Sequence, residues 1–371
     1  MKQDVESTNP LLRAKSLGQS IWLDYIRRGM IEGGGLARLI EADGLGGITS
    51  NPVIFEKAIS HSEDYRSAID VLRGQSADVA DLYDALVLKD IADAADLFRP
   101  VFDRSKGWEG YVSHEVSPHL ALDTEGSIEE ARRLWARLDR PNVFIKVPGT
   151  EPGLQAIQTL TAEAINVNVT LLFGVPRYEA VAEAYMAGLE RRLEEGKPLS
   201  GIASVASFFL SRIDAMVDPM LEETGSGEAK ALRGQTAESL AKLAYQSYLR
   251  MMKSDRWQRL AAEGAAPQRL LWASTQPKDP AYPDSKYVDA LVGPETVSTL
   301  PLETLEAYRE HGDPALRLEN DLEAARALPG KLAALGIDLD RVSAKLEEEG
   351  IDKFVKPFDA LMQALSAKLK D

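Results

Sequence analysis

Short apolar segments recur eight times along the 371-residue chain, each about the length of one buried strand. Stretches of charged sequence with helical apolar spacing separate them, such as SIEEARRLWARL and PRYEAVAEAYMAGLERRLEEG. Eight strand–helix units in succession predict an α/β protein with a (β/α)8 TIM barrel fold. The segments begin at Ser20, Gly44, Gly110, Asn142, Ile165, Gly201, Arg269 and Glu295.

The chain is longer than the ~250 residues typical of such a barrel. The surplus lies in helical sequence around residues 55–105 and 213–265 and in a tail after residue 315. The tail has the apolar spacing of amphipathic helices, and no Gly/Ser-rich or Pro-rich linker precedes it. We therefore expect one domain over residues 1–371, in which 315–371 form a helical extension packed on the barrel.

The composition limits the classes of partner and chemistry. With 43 Lys and Arg against 58 Asp and Glu, the formal charge is −15, which disfavours nucleic acid as a partner. There are no cysteines and the four histidines lack metal-ligand spacing, so we expect neither a metal site nor a cofactor. The N-terminal sequence lacks the apolar region of a secretion signal, and no segment approaches ~20 apolar residues. These features predict a cytoplasmic protein without a membrane partner.

A lysine interrupts the apolar segment NVFIKVPG, which begins at Asn142. Alternation along the strand places Phe144 and Lys146 on one face and the aliphatic residues on the other. Strand lysines commonly lie at an edge or extend their amine to solvent, and this is one interpretation of Lys146. The other interpretation is that the fold needs an amine in a dry place.

Other segments also carry polar residues near their carboxyl ends. Alternation puts Asp24 in the barrel interior with Trp22, and Ser274 on the same face as Trp272. The further polar residues with this placement are Thr49, Asn51, Asn166, Asn168 and Thr170. Each alone is explained by a cap, a turn or a tolerated hydroxyl. Together they predict an active site, because barrel active sites form at the carboxyl ends of the strands.

Two further features favour a structural interpretation. The GGG run at Gly33 to Gly35 lacks the spacing and the lysine of a phosphate-binding P-loop, so we expect a flexible turn. We expect His114 and His119 to be structural as well.

Five motifs, in their order along the chain, resemble those of the transaldolases, the Schiff-base-forming barrel enzymes of the pentose phosphate pathway. The motifs are GITSNPVIFEKAI, VSPHLALDTEGSIEEA, NVFIKVPGTEPGLQAI, INVNVTLLF and SFFLSRID. The resemblance covers residues 15–310, and the tail is similar to that of the larger bacterial-type subgroup. It implies reversible transfer of a dihydroxyacetone unit from sedoheptulose 7-phosphate or fructose 6-phosphate to glyceraldehyde 3-phosphate or erythrose 4-phosphate.

The resemblance also implies catalytic roles. Lys146 is the expected Schiff-base nucleophile, since burial disfavours the ammonium form. Asp24 is the expected acid/base at the hydroxyl whose deprotonation breaks the carbon–carbon bond. Glu125 is expected to move protons during loss of water from the carbinolamine, with Thr170 helping to hold a catalytic water.

Binding roles follow from the same resemblance. The residues expected to bind the hydroxyls of the dihydroxyacetone unit are Asn51, Asn168 and Ser207. The residues expected to hold the distant phosphate are Arg212 and Ser274. Many relatives have an arginine shortly after this serine, whereas this chain has Lys278 four residues later, and we extend the phosphate role to Lys278.

Two alternative functions remain open. A fructose-6-phosphate aldolase of the same fold releases the ketone, and in that enzyme a glutamine stands at the position of Glu125 and a tyrosine at that of the substrate-binding residue Phe209. This chain has the transferase residue at both. The other alternative is a catalytically retired barrel that serves as a binding module. The presence of the four expected catalytic residues argues against it: Lys146, Asp24, Glu125 and Thr170. The expected partners are sugar phosphates, and the chain is expected to be a monomer or a homodimer.

Overall fold

The computed structural model describes residues 9–73 and 78–370, and its centre is a closed barrel of eight parallel strands. Each predicted apolar segment contains one strand, so the predicted (β/α)8 TIM barrel is confirmed. The strands are β1 (Gln19–Asp24), β2 (Gly47–Thr49), β3 (Tyr111–Glu115), β4 (Val143–Pro148), β5 (Val167–Leu172), β6 (Ser204–Phe209), β7 (Gln268–Ala273) and β8 (Thr296–Leu300). Residues 1–8, 74–77 and 371 of the predicted domain, of which 74–77 also belong to the predicted helical stretch 55–105, lie outside the described residues.

Helices precede, connect and follow the strands. They are α1 (Pro10–Ser16), α2 (Arg28–Glu32), α3 (Gly35–Ala42), α4 (Pro52–Ser60), α5 (Arg66–Arg73), α6 (Val79–Arg104), α7 (Thr124–Leu138), α8 (Glu151–Ala162), α9 (Val175–Glu194), α10 (Ser211–Thr224), α11 (Gly227–Leu232), α12 (Thr236–Met252), α13 (Asp255–Ala262), α14 (Lys286–Ala290), α15 (Leu302–His311), α16 (Leu322–Ala334) and α17 (Leu339–Lys370). A 3-10 turn, Pro118–Leu120, lies between β3 and α7. Within the described ranges, no helix combines the length and apolarity needed to cross a membrane.

Strand β1 closes the barrel by pairing with both β2 and β8. Its register aligns Asp24 with Thr49 of β2 and Leu23 with Leu300 of β8. The strands are buried on both faces, which explains why their sequences contain near-continuous apolar runs. Closure also pairs the strand edges, so the polar backbone groups of the sheet are satisfied around the whole circumference.

Aromatic rings fill the barrel interior below its mouth. The ring centroid of Phe144 lies 4.3 Å from that of Tyr111 and 6.1 Å from that of Trp22. Gly47 makes room for this layer, because a Cβ there would lie 2.7 Å from the Trp22 ring and from the backbone oxygen of Tyr111. The interior is therefore packed at this level, and the polar interior residues lie above it.

A buried polar network fills the amino-terminal end of the barrel. Arg269 donates to Ser20 Oγ at 2.9 Å and to the backbone oxygen of Trp108 at 2.7 Å. Glu109 accepts hydrogen bonds from Ser20 Oγ and Lys15 Nζ, both at 2.8 Å. At this end the barrel interior is therefore filled by hydrogen-bonded protein side chains.

The helical tail packs back on the barrel. Helix α16 lies against α12, and α17 lies against α4, α6 and α10. The side chains that α17 buries include Leu346, Phe354, Leu361 and Leu365. This packing explains the amphipathic spacing of the tail. The assignment of residues 1–371 to one domain, with 315–371 as its extension, stays a prediction.

Candidate active site

A cavity of about 660 Å³ opens at the carboxyl-terminal mouth of the barrel. Nine residues that the sequence singled out line this cavity: Asp24, Thr49, Asn51, Lys146, Ser207, Phe209, Arg212, Ser274 and Lys278. Asn168 and Thr170 are fully buried next to the cavity wall, and Glu125 lies elsewhere. Polar residues from strands and loops far apart in sequence therefore meet at this end of the barrel, as predicted.

Lys146 is buried inside the barrel, with only 4% of its surface exposed. Its Nζ donates a hydrogen bond to the backbone oxygen of Ser50 at 3.2 Å and lies 3.3 Å from Glu115 Oε2. The ring centroid of Phe354, from α17, is 5.6 Å away. The side chain thus stays inside the barrel, which excludes the interpretation that its amine extends to bulk solvent.

Glu115 places a carboxylate beside the amine of Lys146. It was not among the residues predicted from the sequence. It ends β3, pairs in register with Lys146 of β4, and is 6% exposed. Burial raises the pKa of the Glu115 carboxyl, and the charge of Lys146 opposes this shift. Neither carboxylate oxygen accepts a hydrogen bond from another described residue. Because a buried carboxyl with a raised pKa exchanges protons readily, this group is suited to acid/base chemistry at the lysine.

Asp24 provides a second carboxyl group at the end of β1. Burial raises the pKa of Asp24, whereas the charge of Lys146 and a hydrogen bond from Thr49 lower it. Thr49 Oγ1 donates to Asp24 Oδ1 at 2.7 Å and lies 2.8 Å from Thr299 Oγ1. Thr299 therefore orients the Thr49 hydroxyl toward Asp24, and this relay stabilises the ionised carboxylate.

Asn168 and Ser207 form a hydrogen-bonded row inside the barrel. Asn168 Nδ2 donates to Ser113 Oγ at 3.0 Å, and Ser207 Oγ donates to Asn168 Oδ1 at 2.7 Å. Asn168 also pairs in register with Lys146. The row fixes the amide orientation of Asn168 beside the lysine strand.

Asn51, just after β2, both caps a helix and lines the cavity. Its Oδ1 accepts a hydrogen bond from the backbone N–H of Ile54 at 3.1 Å and so caps α4. Its side chain also lines the cavity. The cap holds the amide in place at the cavity wall.

Thr170 lies where the β5–β6 pairing loses its regular register. The register shifts between Val169 and Leu172, and Leu171 adopts a left-handed backbone with φ of +62°. Thr170 is fully buried, and its Oγ1 has no hydrogen-bond partner among the described residues. A buried hydroxyl without a protein partner, beside a strained non-glycine residue, is the arrangement expected where a water or substrate atom binds.

The opposite side of the cavity carries Arg212 at the start of α10. Its Cζ lies 5.4 Å from the ring centroid of Phe209 and 5.7 Å from that of Phe354. Among described residues, Arg212 Nη1 has no hydrogen-bond partner. The guanidinium is therefore held between two rings with part of its fork available to an anion.

Ser274 lines the cavity, but not because of the strand alternation that predicted it. Phe209 and Ala273 line the cavity, whereas Trp272 points outward and donates from its ring nitrogen to Leu291 O at 3.2 Å. Ser274 therefore does not share an inward face with Trp272, and that prediction was wrong. Its backbone turns left-handed, with φ of +54°, which breaks the alternation and brings the side chain into the cavity.

Lys278 lies at the exposed rim of the cavity, in the loop that follows β7. The next residue, Asp279, accepts a hydrogen bond from Arg233 at 2.9 Å. Further along, Tyr282 OH donates to Asp218 of α10 at 2.6 Å. These contacts fasten the loop to the side of the barrel that carries Arg212.

Glu125 does not reach this cavity. It lies exposed in the first turn of α7, in a helix whose N-cap is Asp123. The nine residues between Glu115 and Glu125 include the 3-10 turn, which carries the chain away from the mouth. The geometry therefore does not support the role expected of Glu125, whereas Glu115 lies 3.3 Å from Lys146 Nζ.

The histidines and the glycine run lie apart from the catalytic groups. His114 is buried behind β3, where burial lowers its pKa to about 4. His119 contacts Asp359 of α17 at 2.7 Å. Gly34, with φ of +73°, forms the turn between α2 and α3. Within residues 9–73 and 78–370, no three acidic or histidine side chains are grouped as metal ligands would be.

Comparison with known proteins identifies the family of this chain. The family model described as transaldolase/fructose-6-phosphate aldolase matches residues 21–365. A transaldolase of Thiobacillus denitrificans is 49% identical, and the alignment covers 93% of this chain and 96% of that protein. A transaldolase of Trichodesmium erythraeum (47% identical) and transaldolase 2 of Nostoc punctiforme (48% identical) each align over 98% of both chains. With a family model and relatives matching over nearly its whole length, the chain belongs to the transaldolase/fructose-6-phosphate aldolase family.

Proposed function

We propose that the chain is a transaldolase that transfers a dihydroxyacetone unit reversibly from a ketose phosphate to an aldose phosphate through a Schiff base on Lys146. The donors are sedoheptulose 7-phosphate and fructose 6-phosphate, and the acceptors are glyceraldehyde 3-phosphate and erythrose 4-phosphate. The observation that carries the proposal is the buried amine of Lys146, 3.3 Å from the Glu115 carboxylate in a cavity that also holds Asp24 and Arg212. The transaldolase names of the most similar relatives support it.

Formation of the Schiff base requires a neutral amine and a proton donor. The Lys146 amine attacks the ketone carbon, and the resulting carbinolamine loses its hydroxyl as water. Glu115, rather than Glu125, supplies the proton to that leaving hydroxyl, because its carboxyl lies beside the nitrogen and has a raised pKa. Thr170, with its unpartnered hydroxyl, holds the water that leaves or returns.

Cleavage then requires a base at the other end of the breaking bond. Asp24 removes the proton from the hydroxyl on the far carbon of that bond, which becomes the aldehyde carbon. The bonding electrons move into the imine to form an enamine. The aldose phosphate leaves. The enamine carbon then attacks the aldehyde carbon of a second aldose phosphate, and the reverse of the earlier steps releases the new ketose phosphate. Positioned acid/base groups of this kind typically contribute ~100- to 10,000-fold each.

Substrate binding divides the cavity into two regions. Asn51, Asn168 and Ser207 bind the hydroxyls of the dihydroxyacetone unit near Lys146. The distant phosphate lies against Arg212, with Ser274 and Lys278 as further donors.

The net charge of −15 does not oppose phosphate binding, since the phosphate interacts mainly with charges within about one Debye length, ~8 Å. The partners in this proposal are sugar phosphates, with neither nucleic acid nor a membrane involved. The chain acts in the cytoplasm as a monomer or a homodimer.

A transfer assay tests the reaction itself. Fructose 6-phosphate is supplied with or without erythrose 4-phosphate, and sedoheptulose 7-phosphate, glyceraldehyde 3-phosphate and free dihydroxyacetone are measured. We expect sedoheptulose 7-phosphate with the acceptor and little free dihydroxyacetone without it. Release of dihydroxyacetone at the same rate in both mixtures would favour the aldolase alternative, and a folded chain that makes none of the three would favour a binding module.

Borohydride trapping tests the roles of the residues. Reduction in the presence of fructose 6-phosphate should leave a dihydroxypropyl adduct on Lys146, detected by peptide mass spectrometry. Glu115→Gln should slow trapping and transfer by roughly 100-fold or more, while the matched Glu125→Gln should change neither. An adduct on another lysine, or loss of activity in Glu125→Gln alone, would refute these assignments.

A further inference from the structure

Helix α17 brings an aromatic ring into the catalytic cavity. Phe354 is 3% exposed, lines the cavity, and belongs to no strand or loop of the barrel. Its ring centroid lies 5.6 Å from Lys146 Nζ and 5.7 Å from Arg212 Cζ. The ring therefore lies close both to the amine that would carry the substrate carbon and to the cation that would hold its phosphate.

The helix is fastened to the barrel on the amino-terminal side of this ring. Ser343 Oγ donates to the backbone oxygen of Phe173, just after β5, at 3.3 Å. At Gly350 the helix approaches β5 so closely that a Cβ would lie 3.0 Å from Leu171 Cδ2. One turn of helix separates Gly350 from Phe354, so this approach sets the depth at which the ring enters the cavity.

Contacts on the carboxyl-terminal side hold the helix equally. The ring of Phe358 packs at 76° on that of Tyr83, with centroids 5.4 Å apart. Asp359 contacts His119 Nε2 at 2.7 Å. With attachments on both sides, the position of Phe354 is fixed by the barrel and does not depend on a bound substrate.

The proposed reaction creates a need for such a ring. After the first aldose leaves, the lysine-bound three-carbon unit must survive until the acceptor arrives. Cleavage leaves this unit as an enamine, and return of the proton held by Asp24 to its nucleophilic carbon converts it to an imine. Attack of water on the imine carbon then forms a carbinolamine, whose carbon–nitrogen bond breaks to give free dihydroxyacetone and the Lys146 amine. The acceptor site is empty at that moment, in a cavity of about 660 Å³ that is large enough for many waters.

We propose that Phe354 is a positioning residue that keeps water from the lysine-bound intermediate, so that it determines the ratio of transfer to hydrolytic release. The inference rests on the proposed function and deepens it. The aromatic face cannot donate or accept a strong hydrogen bond, so a water displaced by the ring has no equivalent place near the nitrogen. Removal of water from a reactive intermediate is an established way in which enclosed sites suppress side reactions.

The experiment measures the ratio of free dihydroxyacetone to sedoheptulose 7-phosphate formed from fructose 6-phosphate and erythrose 4-phosphate. Phe354→Ala should raise this ratio by about tenfold, which corresponds to ~1.4 kcal/mol between the two barriers. Phe354→Leu, which keeps an apolar cover, should stay close to the wild-type ratio. Phe358→Ala is the matched control, because it removes the same ring one turn further along the helix and leaves the cavity lined.

Distinct outcomes separate this inference from the proposed function. An unchanged ratio in a folded Phe354→Ala variant, or an equal rise in Phe358→Ala, would overturn the inference and leave the function in place. A wild-type chain that makes no sedoheptulose 7-phosphate would overturn both. Should Phe354→Ala fail to fold, Phe354→Val should raise the ratio in the same direction, and an unchanged ratio there would also refute the inference.

Discussion

The hydrogen bond from Thr49 to Asp24 should set the pH at which the enzyme becomes active. Thr49 Oγ1 donates to Asp24 Oδ1 at 2.7 Å, and this bond lowers the pKa of a carboxyl that burial raises. Thr49→Val keeps the shape of the side chain and removes the donor. Because the lost bond favoured the ionised form, the pKa of Asp24 should rise, and the base form should appear at higher pH.

The size of the change follows from the strength of a hydrogen bond to a charged group. Such a bond is worth about 1.5 to 3 kcal/mol, and one pKa unit corresponds to ~1.36 kcal/mol. The acidic limb of the kcat/KM profile should therefore move upward by about 1 to 2 pH units. The assay is the initial rate with subsaturating fructose 6-phosphate, since kcat/KM reports groups of the free enzyme. The titration of the substrate phosphate is common to both proteins and cancels in the comparison.

A neighbouring threonine supplies the control. Thr275 is also fully buried and donates to the backbone oxygen of Thr299 at 2.8 Å, but it does not contact Asp24. Thr275→Val should cost stability and leave the limb in place. If Thr49→Val leaves the limb where it was, or if both variants move it equally, Asp24 is not the base that limits activity at low pH.

Two other perturbations test the phosphate site and the barrel interior. Arg212→Ala should lower kcat/KM for fructose 6-phosphate by roughly 10- to 100-fold, from the loss of a charge-assisted bond, and should change the poor turnover of unphosphorylated fructose much less; equal losses on the two donors would mean that Arg212 supports the barrel instead. Gly47→Ala should lower the free energy of unfolding by about 1 to 3 kcal/mol, because its Cβ would lie 2.7 Å from the ring of Trp22. Chemical denaturation measures the second effect, and an unchanged midpoint would show that the aromatic layer can move aside.

The order of strands could be predicted because each strand is a local feature. Short apolar runs bounded by glycine, proline and polar residues recur eight times, and every one forms a strand. Alternation also placed Lys146 on the same face as Phe144, and in the structure that face is the barrel interior. Alternation failed at Ser274, where the left-handed backbone accompanies a hydrogen bond from Ser211 N to Ser274 O at 3.0 Å, a contact with another part of the chain. Such a contact leaves no local pattern in the sequence.

The proposed catalytic glutamate shows how the position of a strand end decides which side chain reaches the active site. Glu115 lies one residue before the motif VSPHLALDTEGSIEEA, and the motif directed the expected role to Glu125 within it. A strand of five residues from Tyr111 ends at Glu115 and places it inward beside Lys146. Counting inward faces along β3 from Tyr111 would have identified it. No such count finds Phe354, whose relation to Lys146 depends on how a distant helix docks.

The position of α17 also has a consequence for how the enzyme is made. Strand β8 ends at Leu300, and α17 runs from Leu339 to Lys370. At ~5 to 20 residues per second, about 4 to 14 s pass between synthesis of the last strand and of the end of this helix. During that interval the eight strands can assemble while the amine of Lys146 is open to solvent, because Phe354 of α17 has not yet docked. Docking of α17 also joins residues far apart in sequence, which slows folding. A newly made barrel should therefore react with sugar phosphates before it can keep water from the lysine-bound intermediate.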